Sequence, residues 1–263
     1  WESVYFGNAM LFNVGGASFL AFVPAVMAYL WMVPANQQVS LDGGKEGSSK
    51  GKTGMFEGLK ILLTRPYVLG IFALATLYEV VATILDFQMK VLAKGIFPTT
   101  EQFASFNGLY GVMTNALALL FAVVGTRYFI EHYGLRFCLI LFPVLTGAVV
   151  SFVYMYRVFF VVTAAVMIIK ALSYALNNPA KEMMYLPTSK DVKFKAKGWI
   201  DMFGSRSSKA AGSGVNWFLQ IFTNDIMLYG TLMSLGVVGV WFLAATYVGN
   251  TFNRLTKNKE IVD

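Results

Sequence analysis

Three basic side chains, Lys170, Arg206 and Lys209, fall within stretches apolar enough to cross a membrane, where a charge is expensive and each one needs a purpose. Lys209 lies ten residues past Trp199. At 1.5 Å per residue that is about 15 Å along a helix, near the middle of a hydrocarbon layer about 30 Å thick. A cation there suits the binding of an anion, or the joining of two helices through a carboxylate. Asp201, Ser205, Ser208, Lys209, Gly212 and Asn216 recur at the spacing of a single helix face. Arg206 sits about 140° round from Asp201 on the same helix. Asp201, Ser205, Arg206 and Lys209 are therefore candidate substrate ligands, while Gly204, Ser208 and Gly212 form a row of small residues that lets helix backbones approach.

Two further segments carry groups of the same kind. Lys170 forms a polar stripe with Thr163, Ser173, Tyr174 and Asn177. It is a substrate ligand or an interfacial anchor, and Asn177 is a candidate ligand beside it. Glu79 lies near mid-depth, with Thr76, Thr83 and Asp86 on its face and Lys90 one turn beyond. A carboxyl group at that depth is either the counter-ion of a lysine or a group that gains and loses a proton during coupling. Asp86 is nearer the outer edge, within reach of Lys90. Asn107, Tyr110, Thr114 and Asn115 give another segment a polar side suited to helix contact or to substrate.

The composition fixes what must position these groups. The chain has 263 residues, of which 57% are apolar and only 13% charged, about half the charge content of a soluble domain. Mean hydropathy is +0.60. An ordinary globular domain, a disordered chain and a disulfide scaffold are excluded. Seven apolar segments, Ala9–Val33, Tyr67–Met89, Phe103–Gly125, Phe137–Tyr156, Val158–Asn177, Ile200–Phe222 and Ile226–Gly249, are each long enough to span. Alternating ten-residue blocks are missing, which argues against a barrel. The fold class is an all-α polytopic membrane protein.

The net charge of +7 is topological. With the C-terminal tail inside, fifteen of the 21 Lys and Arg residues fall in inner loops and three, Lys90, Lys94 and Arg157, in outer ones. That is the bias expected of a multi-pass protein, and no nucleic acid is needed to explain it. A single cysteine (Cys138) and a single histidine (His132) leave no metal site, and no cofactor is expected. Gly51-Lys52-Thr53 lacks the upstream glycine of a phosphate-binding loop, and no nucleophile–base pair is available, so enzymes are not expected. The chain begins at Trp1 with no targeting segment, and it reads as part of a longer protein whose N-terminal portion precedes it.

The organisation follows. Residues 1–34 hold one span. Residues 35–66 form a glycine- and lysine-rich cytoplasmic linker in which Met55, Phe56, Leu59, Leu62 and Leu63 describe a short amphipathic helix. Residues 67–249 hold six spans, and 250–263 form a cytoplasmic tail. One helix, a linker and six helices are what a 6+6 secondary transporter leaves when cut before its sixth span, and such proteins bind substrate between their halves.

The stretch from Asn178 to Asp191 (Asn-Pro-Ala-Lys-Glu-Met-Met-Tyr-Leu-Pro-Thr-Ser-Lys-Asp), the run Lys195 to Asp201, and Ser208-Lys209-Ala-Ala-Gly212 resemble the nucleotide transporter family, the ATP/ADP translocases of plastids and obligate intracellular bacteria. The resemblance covers essentially the whole chain. It implies a major-facilitator-like fold, here the C-terminal half with the last helix of the N-terminal half, and alternating-access transport of ATP, ADP or other nucleoside phosphates. It implies the inner membrane of an intracellular bacterium, or a plastid inner envelope, as the location, and the lipid bilayer and the missing helical half as partners. The family's essential lysine falls on Lys209. The glutamate of its exchangers falls near Ala82, one turn past Glu79. That offset implies a second reading, proton-coupled symport of nucleoside triphosphates with Glu79 or Asp86 as coupling group. A reading of another class is a scaffold or receptor that transports nothing.

Overall fold

The structure, a computed structural model, describes residues 55–262 and Pro24. The expected first span Ala9–Val33 and the glycine-rich stretch of the linker lie outside them. Helix α1 (Met55–Thr64) is the amphipathic segment, and Arg65 alone separates it from α2 (Pro66–Ile96). Proline at the first position of α2 already has the φ a helix needs and gives up an N–H that would have no partner. Thr99 starts the next helix by accepting the Gln102 N–H at 3.2 Å. Helix α3 (Thr100–Met155) then continues into residues expected to form an inner loop, 126–136, and is broken only at Gly134 within them. Residues 126–133 contain no Gly or Pro to stop it. The turn comes instead at Gly134, whose φ of 76° suits a residue without a Cβ.

Helix α4 (Phe159–Leu172) passes without a break into a π-helical turn, π1 (Ser173–Asn177), and then α5 (Asn178–Met183). Across a polar loop, Ser189 caps α6 (Lys190–Trp199) by accepting the Val192 N–H at 3.4 Å. This helix too runs through a π turn, π2 (Ile200–Gly204), into α7 (Ser205–Phe222). Asp225 caps α8 (Ile226–Asn258), accepting the Leu228 N–H at 2.9 Å.

Among the described residues four helices, Pro66–Ile96, Thr100–Val123, His132–Met155 and Ile226–Asn258, are long and apolar enough to cross a membrane. The remaining two expected spans are the ones that carry Lys170 and Lys209. The first is a 14-residue apolar helix prolonged only through π1, and the second is an 18-residue helix too polar to qualify. The architecture is that of an all-α polytopic membrane protein, with no strand among the described residues beyond one isolated bridge between Thr188 and Val262.

Helix α2 is central, packed against α4, α7 and α8. Its Tyr78 meets Phe142 of α3 and Trp241 of α8 with ring centroids 5.6 and 6.1 Å away, and those two rings meet edge-on at 4.9 Å. Gln88, fully buried, donates to the carbonyls of Ile226 and Met227 at 3.1 and 3.2 Å, tying α2 to the start of α8. At one end of the bundle Arg157 pairs with Asp225 at 3.1 Å, joining two short hairpins. At the other, Val262 exchanges backbone hydrogen bonds with Pro187 and Ser189 at 2.9 and 3.0 Å, and α1 lies on α6. Two hairpins expected outside, at Arg157 and Asp225, are thus joined to each other, as are a loop and the tail expected inside.

Candidate functional site

The site begins with the seam between α2 and α7. Gly204, Ser208, Gly212 and Asn216, spaced four apart, are all buried. A Cβ at Gly212 would come within 2.8 Å of the Thr83 Cβ. Asn216 donates through Nδ2 to the Thr83 carbonyl at 3.4 Å. With this row turned to α2, Lys209 and Ser213 come round to an open cleft of about 470 Å³. Its other walls are Tyr78, Glu79, Thr83 and Asp86 of α2, Lys170 of α4 and Tyr174 of π1.

The two lysines of the cleft are held differently. Asp86 divides its carboxylate, with Oδ1 on the Lys170 ammonium and Oδ2 on the Lys90 ammonium, both at 2.6 Å. Lys170 also stands 5.1 Å from the centroid of the buried Tyr110 ring, which attracts a cation through its face. Lys209 forms no ion pair among the described residues, and neither does Glu79. The cleft therefore presents two carboxylates and two ammonium groups, of which one lysine is neutralised and the other is not.

A smaller compartment of about 110 Å³ adjoins the cleft and shares Tyr78, Glu79 and Tyr174 with it. It is lined further by Ala75, Ser173, Asn177, Asn178 and Lys181. Lys181 is engaged with Asp201 at 3.2 Å. The nearby Lys197 holds Glu182 at 2.6 Å and stands over the Tyr185 ring, 6.0 Å from its centroid. Burial, reinforced by the carboxylates of Asp201 and Glu182, pushes the Tyr185 phenol well above its ordinary value, so it stays neutral.

A model of the TLC ATP/ADP transporter family matches residues 14–252. The chain belongs to that family. Among similar proteins, ADP,ATP carrier protein 2, chloroplastic, of Arabidopsis thaliana is 25% identical over 262 residues, covering 90% of this chain and 42% of the relative. ADP,ATP carrier protein 1 of Chlamydia muridarum is 26% identical over 82% of this chain and 45% of its own. ADP,ATP carrier protein 1 of Rickettsia prowazekii is 26% identical over 72% and 43%. The chain thus spans less than half the length of these relatives. No solved structure matches it.

Within this TLC-family chain the structure gathers Lys209, Lys170, Glu79 and Asp86 on one cleft and sets Asn177 in the compartment beside it. Asp201, Ser205 and Arg206 do not line either space. Asp201 lies within π2, where the backbone departs from the α-helical spacing that put it on one face with Lys209, and it pairs with Lys181 at 3.2 Å instead of lining the cleft. Asp86 pairs with Lys170 as well as with Lys90, which reading along one helix cannot reveal. Tyr174 and Ser213 were not among the candidate ligands, yet each follows a cleft lysine by four residues, the spacing that keeps a helix face.

Proposed function

We propose that the full-length protein carries nucleoside phosphates across a membrane by alternating access, exchanging ATP for ADP. The supporting observation is Lys209, a cation with no carboxylate partner on the wall of a cleft wide enough to admit a ligand, with Lys170 on the same cleft. A nucleoside triphosphate carries about four negative charges, and a low-dielectric path needs several cations to compensate them. Two come from this half, and the other half supplies the rest. The carrier names of the relatives point the same way and give no support to an enzyme.

On this reading residues 67–249 are the C-terminal six-helix bundle of a major-facilitator-like carrier, and 1–34 are the last helix of the N-terminal bundle. Residues 35–66 are the cytoplasmic linker and 250–263 a cytoplasmic tail. The bundle rocks against its missing counterpart around the phosphate site. The relatives are chloroplastic or come from Chlamydia and Rickettsia, which favours a plastid envelope or the cytoplasmic membrane of an intracellular bacterium.

The test is uptake of labelled ATP into liposomes holding the full-length protein. Uptake is expected to require ADP or ATP inside and to survive a protonophore. Uptake into vesicles without internal nucleotide, abolished by the protonophore, would replace exchange with proton symport through Glu79. No uptake of any nucleotide would reject the reading.

A further inference from the structure

Two adjoining spaces with different chemistry share one wall. The larger carries Lys170 and Lys209, and the smaller carries two amides, Asn177 and Asn178. The one cation of the smaller space, Lys181, is taken up by Asp201 at 3.2 Å. We propose that the smaller compartment is the nucleobase subsite, that Asn177 reads the edge of the base, and that the larger cleft takes the phosphates. This rests on the nucleotide-transport reading above and adds to it a direction for the bound substrate.

The division follows from charge and hydrogen bonding. A polyphosphate goes where ammonium groups are, and an uncharged heterocycle is indifferent to them. A base edge alternates donors and acceptors, and a carboxamide offers both, which is why Asn and Gln pair with adenine in two places at once. The side chains of Asn177 and Asn178 make no hydrogen bond to any described residue, so they have that capacity to spend on a ligand. The compartment, about 110 Å³, is less than a quarter of the 470 Å³ cleft. It suits one planar base and cannot hold a base together with its phosphates.

The junction fits as well. Tyr174 belongs to both spaces and is 54% exposed, so its ring offers a stacking surface, a contact every base can use. Tyr78 is buried on the shared wall, braced by Phe142 and Trp241. The π turn is what brings these groups to one place. The Asn178 N–H reaches back five residues to the Ser173 carbonyl, and Pro179 has no N–H to give the preceding turn. The helix widens there, and Tyr174, Asn177 and Asn178 end up around one opening. A π turn of this kind often marks a functional site.

The experiment uses the full-length protein in liposomes and measures how well unlabelled competitors block labelled ATP uptake. The probes are ATP, GTP and inorganic tripolyphosphate, the last a polyanion with no base. Asn177→Ala is expected to weaken ATP about ten-fold, the loss of one good base contact, and to shift the ATP-to-GTP preference. Tripolyphosphate should compete as before, within about two-fold. Lys209→Ala is expected to weaken all three. Tyr174→Ala, at an exposed position, should weaken ATP and GTP and spare tripolyphosphate, and it decides the question if Asn177→Ala does not reach the membrane. Equal losses for nucleotides and tripolyphosphate in both variants, no loss in either, or a tripolyphosphate that never competes would overturn the subsite. A wild-type protein that takes up no ATP would reject the transport reading instead, so the two failures are distinct.

Discussion

Lys170 and Lys209 face one cleft from two helices, and they are not equivalent. Lys170 is matched by Asp86 at 2.6 Å and backed by the Tyr110 ring, whereas Lys209 has no acidic partner among the described residues. A phosphate that binds Lys209 gains a contact and gives up only water. A phosphate that draws on Lys170 must compete with a carboxylate already in place, so only the difference between the two contacts adds to affinity. The side chain with the stronger visible interaction is thus the one expected to contribute less to binding.

The largest effect should come from the free lysine. Lys209→Ala is expected to lower the kcat/KM of ATP uptake by about 100-fold or more, in the range for removing one partner of a desolvated charge pair. Amounts of protein in the membrane should match the wild type, since no described contact is lost. Lys209→Arg keeps the charge and should retain part of the activity. Near-normal transport by Lys209→Ala would erase the distinction between the two lysines and the binding role with it.

The next effect is smaller and depends on a second residue. Lys170→Ala is expected to cost about 10-fold, partly because Asp86 then turns an uncompensated oxygen towards an incoming polyanion. Removing the carboxylate as well should help. The double variant Lys170→Ala/Asp86→Ala is expected to transport about three-fold better than Lys170→Ala alone, a coupling within the range found for residues in contact. Lys90, 47% exposed at its side chain, can reach water once Asp86 is gone. If the double variant is worse than the single, Asp86 holds more than a counter-ion position, and the contrast with Lys209 must be redrawn.

Much of this was legible in the chain, and the exceptions have physical causes. Depth and spacing put Lys209, Lys170, Glu79 and Asp86 inside spans, and the cleft lines up all four. The row Gly204, Ser208, Gly212 was readable as a packing face because small residues four apart have few other uses. What stayed hidden depends on neighbours or on departures from α geometry. The second partner of Asp86 lies 84 residues away. Asp201 sits in π2 and pairs with Lys181 away from the cleft, and hydropathy and spacing carry no signal for a π turn or for a partner 20 residues away. The helix that runs on to Gly134 leaves no mark in the sequence, because basic residues signal an inner loop whatever its backbone. Asn177 was found as one more polar residue on a stripe, but its separate compartment needs α2 to form the far wall.

The smallest effect tests how the free lysine is aimed. Lys209 reaches the cleft because Gly204, Ser208, Gly212 and Asn216 keep α7 against α2, and Gly212 is the tightest point. A Cβ there would lie 2.8 Å from the Thr83 Cβ and 3.2 Å from the Val80 carbonyl oxygen. Gly212→Ala must push the helices apart at a cost of about 2 kcal/mol, typical of overpacking, and should lower the thermal midpoint of the purified protein by about 5 °C. Gly214, two residues on, has nothing within 4 Å of a Cβ, so Gly214→Ala should leave the midpoint unchanged or slightly higher. Moving α7 moves Lys209 and leaves Lys170 where it is. The modest loss of ATP affinity in Gly212→Ala, about three-fold, should therefore vanish when Lys209 is already alanine and persist when Lys170 is, because only residues that act through one another fail to add. A loss of equal size in both backgrounds would mean that the seam supports the bundle as a whole and does not aim Lys209.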